Sequence, residues 1–237
     1  MNPTRDSWPV RGIEIELAGA HFAADPSGTL YWPEEKILIV ADLHFEKGSS
    51  FATRGQLLPP YDTAATLLRL AHVIARFAPK TLIALGDSFH DGEGPSRLVE
   101  EDRAHLAALQ RGRDWIWLTG NHDPDVNGVG GSTYAMLAVG PVTLRHEPQP
   151  EDELEIAGHL HPVARVRARG SSVRRRCFVS DGRRMVMPAF GAFTGGLNVR
   201  HPAFELVFKA RAFAAHMLGR DRLYSFSGAR CLADEAA

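Results

Sequence analysis

The sequence predicts an α/β protein, and two observations carry the prediction. In the first half, short continuous apolar runs alternate with amphipathic helical stretches, the pattern of βαβ units around a largely parallel sheet. In the second half the helical signal fades and strand-like segments follow one another, punctuated by Gly and Pro. Taken in order, Ile13 to Leu17 alternates in polarity and Leu30-Tyr31-Trp32 is apolar, with a turn at Asp25-Pro26-Ser27-Gly28 between them. Ile37 to Ala41 is a continuous apolar run suited to a strand covered on both faces. Asp62 is expected to cap a helix with its stripe at Leu67, Leu70, Ala71 and Ile74, ending before Pro79. Ser96 is expected to cap a second helix carrying Leu98, His105, Leu106 and Leu109, with Gly112 beyond its end. Thr81 to Leu85 and Trp115 to Leu118 are two further buried strands, and the alternation places Trp115 and Trp117 in the core. Strands are then expected at 142–144, 154–157, 177–179, 185–187 and 204–208, and a last helix at 209–218.

Composition bounds the function classes. The chain has 237 residues, 44% of them hydrophobic and 23% charged, which is ordinary for a soluble globule and fits one domain spanning 1–237. Lys and Arg number 27 against 28 Asp and Glu, which excludes a globally basic nucleic-acid binder but leaves local patches open. No apolar stretch approaches the ~18 residues of a membrane span, so no membrane partner is expected. The opening MNPTRDSWPVRG has no secretory core. Two cysteines make neither a thiolate cluster nor a disulfide framework, and a cytoplasmic location is expected.

Metal-binding side chains stand at the ends of the apolar runs. The first run ends in Asp42-Leu43-His44, the second in Gly86-Asp87 and His90-Asp91, the third in Gly120-Asn121-His122-Asp123. Later, Leu144-Arg145 leads into His146, and Ile156-Ala157 into Gly158-His159-Leu160-His161. Ligands in open α/β sheets collect outside the carboxyl ends of strands, so these segments can converge. Each alone has an ordinary structural explanation, as a turn or a buried histidine; the ordered set does not. A mixed shell of carboxylate, amide and imidazole suits Mn, Fe or Zn better than Ca or Mg. The donors exceed one site of three or four ligands and fit two sites sharing a carboxylate, the arrangement used for in-line displacement at phosphorus.

The motif order D-x-H, G-D-x-x-H, G-N-H-D, H, G-H-x-H over residues 42–161 resembles the calcineurin-like metallophosphoesterase superfamily. The resemblance implies a four-layer α/β/β/α sandwich and a two-metal centre. By position, Asp42, His44, Asp87 and His161 would hold one divalent ion; Asp87 would bridge to a second held by Asn121, His146 and His159. His122 matches the family's catalytic histidine, which protonates the leaving oxygen or steadies negative charge on the transition state; the mechanism expected here is hydroxide attack on phosphorus with His122 as general acid. Asp42 to Ser50, Arg54-Gly55, Leu58 to Thr63 and Phe190 to Val199 are similar to the bacterial clade of ligase-associated DNA damage response endonucleases. That similarity implies two manganese ions, cleavage of DNA (single-stranded or structured) in repair, and association with an ATP-dependent DNA ligase, an exonuclease and a helicase.

Where superfamily protein phosphatases carry Asp-Arg, this chain has His90-Asp91. An acid cannot replace a phosphate-gripping Arg, which disfavours phosphoprotein substrates, places His90 among the substrate-binding candidates, and leaves Asp123 as a candidate to orient His122. Between Arg165 and Arg184 stand eight arginines against one acid, Asp181; Arg174, Arg175 and Arg176 are expected to track a nucleic-acid backbone, the alternative being a solvated hairpin. His21, His72, His105, His201 and His216 lie outside the motifs and read as structural. Gly191 to Gly196 lacks the Lys-Ser/Thr of a P-loop. The alternative function is a phosphodiesterase or pyrophosphatase acting on a small nucleotide, and a metal-site scaffold without catalysis is a third possibility.

Overall fold

A computed structural model describes residues 12–149, 154–168, 170–209 and 212–234; Arg169, Glu151 to Glu153 and the opening residues through Arg11 lie outside them. The first sheet holds β1 (Ile13–Leu17), β2 (Ala20–Ala24), β3 (Leu30–Trp32) and β4 (Ile37–Val40). Helices α1 (Lys47–Thr53) and α2 (Asp62–Phe77) follow, then β5 (Thr81–Leu85), α3 (Gly94–Arg97), α4 (Glu100–Gln110), β6 (Asp114–Leu118) and β7 (Ser132–Tyr134). The second sheet gathers β8 (Met136–Val139), β9 (Val142–Arg145), β10 (Glu155–Ala157), β11 (Pro162–Ala168), β12 (Ser171–Ser180), β13 (Arg184–Val186) and β14 (Leu197–Asn198). After α5 (Ala203–Val207), β15 (Ala214–Leu218) and β16 (Leu223–Ser227) join that sheet.

Sheet order in the first sheet follows the chain from β1 to β7, antiparallel through β4 and parallel from β4 to β7. The second runs β14-β11-β12-β13-β10-β9-β8, with β9, β10 and β13 mutually parallel. Strand alternation sorts the core into three slabs. Leu38, Val40, Leu82, Ala84, Trp115 and Trp117 face α2 and α4. Ile39, Ala41, Ile83 and Leu85 face Leu144, Ile156, Phe178 and Met185 of the other sheet. Cys177, Val179, Val186, Ala215 and Met217 pack under Phe204 and Val207 of α5. The result is the expected α/β/β/α sandwich, and burial on both faces explains why β4, β5 and β6 read as unbroken apolar runs. No helix among the described residues is long and apolar enough to cross a membrane.

Three local expectations need correcting. Asp62 is the first residue of α2 and not its cap; its carboxylate accepts hydrogen bonds from the amides of Lys47 (2.8 Å) and Gly48 (3.2 Å), tying α1 to α2. Ser96 lies inside the short α3, and α4 starts after Val99 with Glu100, Glu101 and Asp102 favouring its positive end. The last two elements are interchanged: 203–207 is helical and 214–218 a strand. Pro202 starts the helix, and Phe204 and Val207 fall on one helical face while Leu206 is exposed. Ala214 to Leu218, rich in helix formers, is claimed by pairing with both β12 and β16, a case of tertiary context overriding propensity. Residues 210 and 211 of that expected helix lie outside the described set.

His216, one of the histidines read as structural, sits on β15 between Ser225 Oγ (2.8 Å from Nδ1) and Ser180 Oγ (3.4 Å from Nε2). Burial lowers its pKa to about 4. The unfolded chain therefore binds this proton more readily than the folded one, so the stability at stake is whole above about pH 6.5 and is lost as pH falls toward 4, by at most about 3 kcal/mol. His216→Gln is expected to flatten the fall in Tm between those pH values; parallel profiles for variant and wild type would contradict this.

Candidate metal centre

Every candidate ligand leaves the carboxyl end of a strand. Asp42 follows β4, Asp87 follows β5, Asn121 follows β6, His146 follows β9 and His159 follows β10. Backbone bonds stitch these ends together: Asp42 N–H to Gly86 O (3.3 Å), His44 N–H to Asp87 O (2.9 Å) and Gly158 N–H to His146 O (2.9 Å). The ends are also strained. Nine described non-glycine residues have positive φ, and five of them are Asp42, His44, Asp87, His159 and His161. Each left-handed conformation costs on the order of 1–3 kcal/mol, so the donors are held by the surrounding bonds in conformations they would not choose.

The donors fall into two sets that share Asp87. Asp42, His44, Asp87 and His161 bring one ligand atom each within 4.8 Å of one another, and so do Asp87, His146 and His159. In the first, His161 Nε2 lies 3.3 Å from both Asp42 Oδ1 and His44 Nε2, and His44 Nε2 is 3.9 Å from Asp87 Oδ2. In the second, Asn121 Oδ1, His146 Nε2 and His159 Nδ1 are 2.9, 3.0 and 3.1 Å apart. Asp87 Oδ1 lies 3.4 Å from His146 Nε2. Thus one carboxylate turns an oxygen to each set.

The chemistry of the donors fits cations. Asp42 is 0% and Asp87 2% exposed, and their side-chain ion-pair partners among the described residues are histidines. Burial, with His161 and His122 adding to it against the pull of Asp42, lowers the His44 pKa to about 3; burial and His146 lower that of His159. Neutral imidazoles at His44 and His159 are what a metal needs; burial alone would raise the Asp42 pKa, but His161, His146 and His44 outweigh it and hold the carboxyl below its ordinary value. His146 Nδ1 sits 2.9 Å from Leu85 O, so it carries the proton and its Nε2 lone pair faces Asn121 Oδ1 and His159 Nδ1. Asn121, His146 and His159, with Asp87, are the residues that would hold a divalent ion here.

His122 stands beside the shared carboxylate. Its amide donates to Asp87 Oδ1 (2.9 Å), its Nε2 is 3.9 Å from Asp87 Oδ2, and its Nδ1 donates to the His90 carbonyl (2.8 Å). The orienting partner is therefore a backbone oxygen and not Asp123. Asp123 instead receives the amides of Ser88 (2.6 Å), Phe89 (3.0 Å) and Gly120 (3.1 Å), which ties the Asp87 loop to the Asn121 loop. Burial, opposed by those amides and assisted by the Asp87 charge, raises its pKa to about 7. His90 stacks on His122 with centroids 5.3 Å apart and reaches His44 Nδ1 at 3.4 Å. Asp91, at the position of the missing Arg, pairs with Arg97 at 2.8 Å.

Arg174, Arg175 and Arg176 lie on β12, and none of them belongs to either donor set. Arg176 donates to the carbonyls of Ala189 (2.9 Å), Gly191 (3.1 Å) and Thr194 (2.8 Å), a bracing role that composition did not reveal. Arg174 binds Gly196 O and pairs with Asp234 at 3.3 Å, while Arg175 is exposed. Gly120 is the tightest point of the centre: a Cβ there would lie 2.2 Å from Asp87 Oδ1 and 2.3 Å from its amide. Gly120→Ala is expected to displace Asp87 and weaken manganese binding by roughly 10- to 100-fold, the scale of losses from disturbed ligand support. Unchanged affinity in a metal titration would contradict the assigned position of Asp87.

Comparison with known proteins agrees with this geometry. No curated protein sequence matches the chain. Among solved structures, the crystal structure of Pseudomonas putida nuclease MPE is similar, with 28% identity and a TM-score of 0.69 over 90% of this chain and 99% of that one. A protein of unknown function from Aquifex aeolicus, AQ665, shares 19% identity over 53% of this chain and 78% of its own, with a TM-score of 0.38, too loose to carry an argument. The family model for calcineurin-like phosphoesterases matches residues 35–165, more than half of the chain and the stretch that contains every candidate donor. With its sandwich, its strand-end donors and that match, the chain belongs to the calcineurin-like phosphoesterase family.

Proposed function

We propose that this chain, as one domain over 1–237, is a metal-dependent phosphodiesterase that cuts DNA internally, with His122 as general acid. The observation that carries the reading is the position of His122, its Nε2 3.9 Å from the carboxylate that both donor sets share. Asp42, His44, Asp87 and His161 would hold one divalent ion, and Asp87, Asn121, His146 and His159 the other. When bound, such a pair supplies a nucleophile at neutral pH and a clamp on the phosphoryl oxygens. Manganese as the ion rests on the sequence resemblance, and the mixed carboxylate, amide and imidazole donors suit it. The nuclease neighbour supports DNA as the substrate. A repair role beside an ATP-dependent ligase, an exonuclease and a helicase, and a cytoplasmic location, rest on the sequence resemblance and composition.

The chain's own residues do the rest. The His90 carbonyl holds His122 Nδ1–H, which aims Nε2 toward Asp87 and the space where a phosphate would sit. His122 is partly open to solvent at that edge, so a protonated ring can pass its Nε2 proton to the leaving sugar oxygen. Asp123 keeps the two loops in register behind it. The second reading, hydrolysis of a small nucleotide, is favoured by one observation: Arg174 and Arg176 are spent on the fold's own carbonyls.

His122→Ala is expected to slow cleavage of a DNA oligonucleotide by roughly 10²–10⁴-fold. Hydrolysis of bis-p-nitrophenyl phosphate, whose leaving group needs little protonation, should fall far less. Equal losses on both substrates in steady-state assays would reject the acid role.

A further inference from the structure

The loop after β13 links the metal centre to an exposed aromatic pair. The Phe190 amide donates to Ala41 O (2.8 Å) and the Gly191 amide to Asp42 O (3.1 Å), so this loop backs the first donor strand. Arg176 grips it through three carbonyls, and Arg69 donates to Phe190 O while lying 4.4 Å over the Phe190 ring. On so rigid a mount, Phe193 is nevertheless 41% exposed, and it meets Tyr61, 60% exposed, with centroids 6.4 Å apart. Lys47 Nζ donates to Phe193 O (3.1 Å) and lies 5.8 Å from the Phe51 ring. Phe51 in turn is 5.4 Å from His90, which stacks on His122. A row of rings and cations therefore runs from the candidate acid to the exposed pair. Beyond Phe193, Thr194 to Gly196 and the side chains of Arg174 and Arg175 line a groove of about 380 Å³.

Two large exposed rings, Phe193 on a braced loop and Tyr61 at the start of α2, beside a lysine and next to the candidate metal centre, match what a single strand needs: a π-face for a base and a cation for the adjoining phosphate. A paired base has both faces covered and offers neither. We propose that Tyr61 and Phe193 form a base-stacking subsite for a nucleotide one position removed from those joined by the scissile phosphate, with Lys47 on the phosphate between. This rests on the nuclease reading and deepens it, since it makes the unpaired base a recognition element.

The test is a ratio measured within each protein, so a general loss of folded enzyme cancels. For manganese-loaded wild type, Tyr61→Ala/Phe193→Ala and Tyr61→Trp/Phe193→Trp, kcat/KM is measured on an oligothymidylate and on an abasic tetrahydrofuran phosphodiester of equal length. Wild type should prefer the base-bearing strand by roughly 5- to 150-fold, the value of stacking one base. The alanine pair should bring the ratio near one, and the tryptophan pair should keep it. An alanine pair with the wild-type ratio, or a wild type that cuts both strands equally, overturns the subsite and leaves the nuclease reading standing. A wild type that hydrolyses bis-p-nitrophenyl phosphate but cuts neither strand overturns both.

Discussion

Two carboxylates buried without a fixed cation are the constraint on which the rest of this structure depends. Moving an ionised carboxylate out of water costs several kcal/mol even after relaxation, and Asp42 and Asp87 are almost wholly enclosed. Their hydrogen-bond donors include the amides of His159 and His122, and their side-chain neighbours include the imidazoles of His44 and His159, which burial pushes toward the neutral form. Backbone dipoles and rings offset part of that cost, and divalent ions held at the two donor sets would offset the remainder. Folding and metal binding are coupled for this reason, and the site is assembled to be completed by metal.

The sandwich exists to bring the donors to one edge. Parallel pairing of β4, β5 and β6, and of β9 with β10, puts five strand ends side by side. β4 and β5 are buried almost throughout, so polar donors gather where these strands end. Turning sharply there forces Asp42, His44, Asp87, His159 and His161 into the left-handed region. The strain is sustained by packed apolar slabs behind it and by cross-loop clamps such as Asp123 and the 190–191 amides. Preorganised donors of this kind lose little entropy on ligation, which is where the stability of the core is converted into function.

Much of this was legible in the residues because donor identity is a side-chain property and buried parallel strands announce themselves as apolar runs. Asp42-Leu43-His44 directly after Ile37 to Ala41 needs no coordinates to be suspect. The left-handed backbone had no such mark, since Asp and His carry no requirement for positive φ. Nor did the task of Asp123, whose position beside His122 suggested a role in orienting that ring, whereas its carboxylate serves the amides of Ser88, Phe89 and Gly120. Arg176 looked like one of a solvent-facing run, yet β12 alternation turns it inward onto the 189–194 carbonyls. The interchange at 203–218 arose from segments too short for periodicity to separate helix from strand; packing under α5 and pairing to β12 decided them.

The central claim is that one aspartate serves two ions. Metal-stripped wild type titrated with manganese, with bound metal counted after equilibrium dialysis, is expected to take up two ions per chain, and Asp87→Ala no more than one. A wild type that saturates at one ion or fewer, or an Asp87→Ala variant that retains two at undiminished affinity, would contradict the account.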